Sequence, residues 1–206
     1  MNIIAEIGSN WKGIGHALDM ITHLSNLRIK LIKFQLFNEE QVKDLPEYKD
    51  KIIDEQMAKT LYWCGVSYDV DVFFSVCYPE AIPMCERIGV KYYKVRYVDR
   101  NNQEIICKVA NTGKPWFRSG SGDDSFTSNT KVINLFCRAD YPAELIHYPM
   151  ILPRAFKGYS DHTPSLTLLK HCILNDYDIE MHVKEDDNCL ESKWSKKIGD
   201  IKECLN

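Results

Sequence analysis

The chain has 206 residues, a net charge of −3, and 45% hydrophobic and 11% aromatic residues, a composition that predicts one folded domain over residues 1–206. No basic run indicates nucleic acid, and no apolar stretch reaches the roughly 20 residues that span a bilayer. The N-terminus is not typical of a signal peptide, so we expect a cytoplasmic protein without a membrane partner.

Short apolar segments that alternate with amphipathic segments dominate the chain. The predicted strands lie at residues 2–7, 29–36, 70–76, 91–98, 116–119, 132–137, 156–160 and 178–183. Helices are predicted at 15–27, in two pieces within 38–68 broken near Pro46, and at 80–88, 101–110, 165–174 and 192–205. Residues 120–124 and 141–155 are predicted as loops, the second because it contains three prolines.

The strand–helix alternation predicts parallel pairing, because parallel strands need a crossover connection. Eight such units favour an α/β fold, a compact (β/α)8 TIM barrel. The spacing of about 26 residues per unit is short for a fold that typically takes about 250 residues. A flavodoxin-like open sheet is the alternative.

The eight cysteines form no Cys-x-x-Cys pair, and several lie inside apolar segments. This distribution favours reduced, mostly buried thiols in a cytosolic protein over disulfides or a zinc knuckle.

Polar residues interrupt the strands near their C-terminal ends, where a barrel places its active site. They are Glu6, Lys33, Gln35, Lys94, Ser119, Ser160, His162, Glu180 and His182. Taken singly, each has an ordinary structural explanation, such as an ion pair between Lys33 and Glu6. Because side chains alternate along a strand, Ser160 and His162 share one face, as do Glu180 and His182. If the two strands are neighbours, two imidazoles beside carboxylates make a divalent-metal site plausible.

Seven short motifs occur in one order along most of the chain. They are IIAEIGSN at 3–10, KFQ at 33–35, YK at 93–94, TGKP at 112–115, YPA at 141–143, GYSDHT at 158–163 and IEMH at 179–182. Each motif is weak alone, but the colinear set resembles the N-acetylneuraminate (sialic acid) synthase family. The resemblance implies a TIM barrel that condenses phosphoenolpyruvate with an N-acetylated amino-sugar aldehyde to give a sialic-acid-like nonulosonic acid.

The resemblance also implies roles for individual residues. His162 and His182 would be the metal ligands, with Mn²⁺ expected first and Mg²⁺ or Co²⁺ as alternatives. The implied catalytic residues are Glu6, Lys33, Lys94 and His162. The implied substrate-binding residues are Asn10, Gln35, Arg96, Ser119, Tyr141, Ser160, Asp161 and Glu180.

The chain departs from the family pattern mainly at contacts to the anion and the sugar, for example at Trp11, Val76, Tyr97 and Phe136. Family members commonly continue into a small antifreeze-like domain that contacts the partner subunit, and the resemblance leads us to expect a short form without that domain. The resemblance also makes a homodimer one expected state. Two other functions stay open: a different lyase or aldolase on the same barrel, and a binding protein that has lost turnover.

Overall fold

The computed structural model describes residues 1–122, 124 and 131–205. Within them, eight parallel strands pair in chain order, and the pairing of the first with the eighth closes the sheet. The strands are β1 (Ile3–Gly8), β2 (Leu31–Leu36), β3 (Asp71–Val76), β4 (Tyr93–Val95), β5 (Trp116–Gly120), β6 (Val132–Cys137), β7 (Gly158–Asp161) and β8 (Asp178–Lys184). The predicted (β/α)8 TIM barrel is confirmed, and the open-sheet alternative is wrong because an open sheet has two free edges.

Helices surround the barrel on its outer face. They are α1 (Ile14–Asn26), α2 (Glu39–Val42), α3 (Glu55–Ser67), α4 (Ala81–Ile88), α5 (Gln103–Asn111), α6 (Thr167–Asn175) and α7 (Ile198–Leu205). Side chains of Asn38, Asp54 and Asn102 accept hydrogen bonds from backbone N–H groups in the first turns of α2, α3 and α5, which explains where these helices begin. Between β6 and β7 the chain forms only a 3-10 turn (Leu145–His147), as the prolines predict. Of the predicted loop at 120–124, residue 123 lies outside the described residues.

The predicted closing helix at 192–205 is wrong in its first half. A 3-10 turn (Ser192–Trp194) leads into a two-residue strand, β9 (Lys196–Lys197), which pairs with β8, and α7 follows. The buried Lys196 side chain donates to the carbonyl of Thr163 and pairs with Asp161 at 2.8 Å. These tertiary contacts override the helical preference of the lysine-rich sequence.

The barrel interior has two layers because strand side chains alternate between inside and outside. The lower layer, at the N-terminal ends of the strands, is an apolar cluster formed by Ile4, Leu31, Phe73, Phe117 and Leu135. On β1, β2 and β5 the next inward-facing positions carry the predicted polar residues Glu6, Lys33 and Ser119, whereas on β3 and β6 they carry Ser75 and Cys137. Outward-facing residues such as Ile32 and Phe34 pack instead into the core between sheet and helices.

Strands β7 and β8 approach closely at Gly158. A Cβ atom at this position would overlap the backbone of Asp178, so only glycine fits. The register places Ser160 opposite Glu180. His162 and His182 follow two residues later on the same faces, so the close approach of these strands brings the two imidazoles together.

All eight cysteines are free thiols, and Cys77, Cys85, Cys137 and Cys172 are buried. Within the described residues, no helix combines the length and the apolar character that crossing a membrane requires.

Candidate active site at the carboxyl ends of the strands

A cavity of about 470 Å³ opens at the carboxyl ends of the barrel strands. Eleven of the thirteen residues predicted as site residues line it. They are Glu6, Lys33, Gln35, Lys94, Arg96, Ser119, Tyr141, Ser160, His162, Glu180 and His182.

Four charged side chains of alternating sign form the inner end of the cavity, and all are buried. Lys33 pairs with Glu6 and lies 3.8 Å from the Oε2 atom of Glu180. Lys94 pairs with the other oxygen of Glu180, which also accepts a hydrogen bond of 2.9 Å from Ser160 Oγ. The two ammonium groups and two carboxylates balance each other, so this charged cluster (Glu6, Lys33, Lys94 and Glu180) is neutral when every member is ionised.

Opposing effects act on the pKa values of the charged cluster. Burial alone would raise the pKa of Glu180, but Lys33 and Lys94 outweigh it and hold that pKa at about 2. Burial lowers the pKa of the Lys33 ammonium to about 7, against the opposing effect of the Glu180 carboxylate. The structure therefore keeps Glu180 ionised, between the two lysines.

Two carboxylate oxygens in the cluster accept no hydrogen bond from any described residue: Oε1 of Glu6 and Oε2 of Glu180. Buried polar atoms are normally hydrogen-bonded. These two oxygens are unpaired acceptors enclosed at the inner end of the cavity. Glu6 combines such an unpaired acceptor with a place in the cavity lining, which makes it a candidate for proton transfer.

The two histidines meet as the sequence predicts, with ring centroids 5.3 Å apart. Nδ1 of His162 lies 2.7 Å from the carbonyl oxygen of Arg138, and Nδ1 of His182 lies 2.8 Å from Oε2 of Glu191. A carbonyl or carboxylate oxygen can only accept, so each Nδ1 carries the proton. In the neutral rings both Nε2 atoms then hold a lone pair. Burial, with the neighbouring His182, lowers the pKa of His162 and keeps that ring neutral.

This donor set fits a divalent metal ion. Imidazole nitrogens with an Nδ1 hydrogen bond to an oxygen are common metal ligands. Among the residues that the structure describes, no group of three or more His, Cys, Asp or Glu side chains is arranged around one point. Cys137 is close to His162, but burial raises the pKa of its thiol to about 12, so it stays protonated. His162 and His182 would supply two protein ligands, and water and substrate would take the remaining coordination positions.

Asn10 and Asp161, the other two predicted site residues, do not line the cavity. The Asn10 amide donates to the carbonyl of Val183 at 2.8 Å and to Ser195 Oγ at 2.9 Å. Asp161 is fully buried and pairs with Lys196. Both residues lie where their strands end, but their side chains connect the loops behind the cavity.

Neither the outer wall of the cavity nor the acid beside His182 was predicted from the sequence. The outer wall consists largely of apolar and aromatic side chains from the segment after β2 and the turn after β4, together with Trp194. Its members are Phe37, Val42, Leu45, Tyr48, Tyr97, Val98 and Trp194. Glu191 also lines the cavity. The available signal for it was an acid nine residues after His182, immediately before the predicted helix at 192–205.

Fold and cavity together define a (β/α)8-barrel protein whose pocket carries paired lysines and paired histidines. No family model matches the chain, and no curated protein matches it. Among solved structures, it is similar to an N-acetylneuraminic acid (sialic acid) synthetase from Leptospira borgpetersenii serovar Hardjo-bovis, with a TM-score of 0.84 and 20% identity over 98% of this chain and 80% of that one.

Two further solved structures are similar. The spore coat polysaccharide biosynthesis protein spsE from Bacillus subtilis has a TM-score of 0.82 and 19% identity, over 99% of this chain and 66% of that one. A truncated 3-deoxy-D-arabino-heptulosonate 7-phosphate synthase from Thermotoga maritima has a TM-score of 0.74 and 14% identity, over 100% of this chain and 84% of that one. At these identities the likeness concerns the fold, and at that level the resemblance to sialic acid synthases is confirmed.

Proposed function

We propose that this protein condenses phosphoenolpyruvate with an N-acetylated amino-sugar aldehyde, with help from a divalent metal ion. One observation carries the proposal: two buried ammonium groups and two cavity-facing imidazoles line the same pocket. The proteins with similar folds include a sialic acid synthetase and a 3-deoxy-D-arabino-heptulosonate 7-phosphate synthase, which supports a synthase of this kind. A fold alone does not fix a reaction, so the reaction is inferred from the residues that line the cavity.

Lys33 and Lys94 would hold the carboxylate and phosphate of phosphoenolpyruvate as point charges at the inner end of the cavity. Ser119 on β5 and Ser160 on β7 line the same cavity and would donate hydrogen bonds to the phosphate. Glu180, now held between the two lysines, would keep both ammonium groups in place while the anion binds.

The acceptor aldehyde would lie nearer the mouth, along Gln35, Arg96 and Tyr141. His162 and His182 would hold a metal ion, Mn²⁺ in the first instance, and that ion would polarise the aldehyde oxygen as a Lewis acid. Tyr141 lies against the His162 ring, with centroids 4.2 Å apart, and so confines the space beside both histidines.

In the reaction, a C–C bond forms between carbon-3 of phosphoenolpyruvate and the aldehyde carbon, whose oxygen becomes a hydroxyl by taking a proton. Water adds to the cation left at carbon-2 and releases a proton, and the C–O bond to phosphate then breaks. Glu6 is the candidate for moving these protons, because it lines the cavity and one of its carboxylate oxygens has no hydrogen-bond partner among the described residues.

The test is phosphate release by the protein with Mn²⁺, phosphoenolpyruvate and a 2-acetamido aldohexose. Lys94→Ala is expected to raise the phosphoenolpyruvate Kd roughly 10- to 100-fold, since a hydrogen bond to a charged group contributes about 1.5–3 kcal/mol. Lys91→Ala is the matched control, because this exposed lysine lies three residues earlier and pairs with Asp71. His182→Ala is expected to abolish Mn²⁺ binding while the protein stays folded.

Phosphate release that needs both Mn²⁺ and the aldehyde would support the proposal. Binding of phosphoenolpyruvate without turnover would instead favour the binding protein that has lost turnover. Turnover of another carboxylated or phosphorylated compound, but not of phosphoenolpyruvate, would favour the different lyase or aldolase.

A further inference from the structure

We propose that Glu191 is a positioning residue that fixes the orientation of His182 in the cavity. This inference rests on the proposed function, in which His182 holds a metal ion. Glu191 is 3% exposed, and its Oε2 atom lies 2.8 Å from Nδ1 of His182. The acid does not belong to a strand: it lies in the irregular segment between β8 and β9.

The backbone on both sides of the Glu191 side chain is fixed by buried hydrogen bonds. Its N–H donates to Oδ1 of Asn10 at 2.9 Å, and its carbonyl accepts from Ser195 Oγ at 2.6 Å. The Asn10 amide in turn donates to Ser195 Oγ at 2.9 Å, which closes the network. Asn10 therefore acts on the site indirectly, by holding Glu191, and not as a residue that lines the cavity.

Gly8 at the end of β1 leaves the space that the Glu191 carboxylate occupies. A Cβ atom at position 8 would overlap Oε2 of Glu191, and the backbone φ of +55° is itself unfavourable for residues with a side chain. The other carboxylate oxygen is 3.5 Å from Nε2 of Gln35. The end of the first strand, the second strand and the last loop thus converge on one carboxylate.

The orientation of His182 follows from this contact. A carboxylate can only accept, so it selects the tautomer with the proton on Nδ1 and leaves Nε2 with its lone pair. His162 has a similar arrangement with a neutral acceptor, the Arg138 carbonyl. The negative charge of Glu191 additionally strengthens the His182 ring as an electron donor to a metal ion. Trp194 and Tyr141 lie edge-on to that ring, at 6.1 and 6.5 Å between centroids, and limit its rotation.

The test compares Glu191→Ala and Glu191→Gln with the wild type in the metal-free protein. Long-range ¹H–¹⁵N NMR reads the His182 tautomer, and calorimetry with Mn²⁺ alone reads the affinity. In the wild type we expect the proton on Nδ1. Glu191→Ala is expected to show both tautomers and to bind Mn²⁺ about 10- to 100-fold more weakly. Glu191→Gln keeps an acceptor without the charge, so it should keep the tautomer and lose less affinity.

Glu185→Gln is the matched control, because Glu185 makes a similar contact of 2.7 Å with the surface residue His23. This variant should change neither the His182 tautomer nor the Mn²⁺ affinity. A wild-type His182 protonated on Nε2 would overturn the inference. So would an unchanged tautomer and Mn²⁺ affinity in Glu191→Ala, or, if that variant does not fold, an unchanged affinity in Glu191→Gln. Neither readout involves phosphoenolpyruvate or an aldehyde, so failure of the proposed reaction is detected separately.

Discussion

Replacing Glu180 by glutamine would remove the carboxylate that the two buried lysines share. The side chain keeps its volume, and its amide oxygen can still accept from Lys94 and Ser160. With both lysines protonated, however, the charged cluster changes from neutral to a net charge of +1, with Glu6 as the remaining anion next to Lys33. We expect the variant to be less stable than the wild type and to bind anions more tightly.

The size of both effects follows from the burial of the cluster. Removing one partner of a buried ion pair costs about 3–5 kcal/mol. The lower end applies here, because burial already lowers the pKa of Lys33 and its ammonium can lose the proton. A loss of about 3 kcal/mol corresponds to a decrease of about 6–12 °C in Tm for a domain of this size. Phosphoenolpyruvate at about 100 times its Kd contributes about 2.7 kcal/mol and should recover most of that loss.

The assay is thermal unfolding with and without phosphoenolpyruvate, in the absence of metal. The upward shift of Tm should be larger in Glu180→Gln than in the wild type, because the ligand replaces the lost carboxylate. Glu104→Gln is the control: it removes an exposed pair with Lys108 on α5 and should change Tm by less than about 2 °C. Two results would show that the lysines do not depend on Glu180. One is a Tm of Glu180→Gln equal to that of the wild type, and the other is a phosphoenolpyruvate-induced shift of Tm no larger than that of the wild type.

Three further predictions concern the scaffold. Gly158→Ala should destabilise the protein by more than about 3 kcal/mol in urea unfolding, since the new methyl group overlaps the backbone of β8; a loss below about 1 kcal/mol would contradict this. The Glu55 carboxylate pairs with Arg87, which lowers its pKa from 4.5 to about 2. It therefore stabilises the fold above about pH 4.5, and the stability difference between the wild type and Glu55→Gln should disappear as the pH falls through about 2; a constant difference would refute it. Asp161→Asn should lower Tm, because it leaves Lys196 without its counter-ion. The phosphoenolpyruvate Kd should stay within about twofold of the wild-type value. A large change in that Kd would show that Asp161 contributes to substrate binding.

Much of the barrel could be predicted because its signals are local. Each strand is an apolar run, and polar residues at alternate positions mark the inward face near the strand end. That periodicity alone places Lys33 and Lys94 inside the barrel. Their shared partner Glu180 follows from the same alternation on β8. Since β7 and β8 are consecutive, the meeting of His162 and His182 needs no further assumption.

Residues outside the strands could not be placed in this way. Asn10 lies beyond the end of β1, where the chain turns and alternation no longer fixes the direction of a side chain. Asp161 lies between Ser160 and His162, so alternation itself turns its side chain away from the cavity. Glu191 lies in a loop whose path depends on hydrogen bonds to residues over 180 positions away in the sequence. Likewise, β9 is a pair of lysines with no strand preference, and it forms because Lys196 finds a buried counter-ion.

The apolar lower layer of the barrel also determines how molecules enter and leave. It fills the interior beneath the lysines, so the pocket that the described residues form opens at the carboxyl ends of the strands and is closed below. If the proposed condensation takes place in this dead-end chamber, the anion at the inner end would bind before the aldehyde, in a compulsory order. Inorganic phosphate, formed innermost, would depart last.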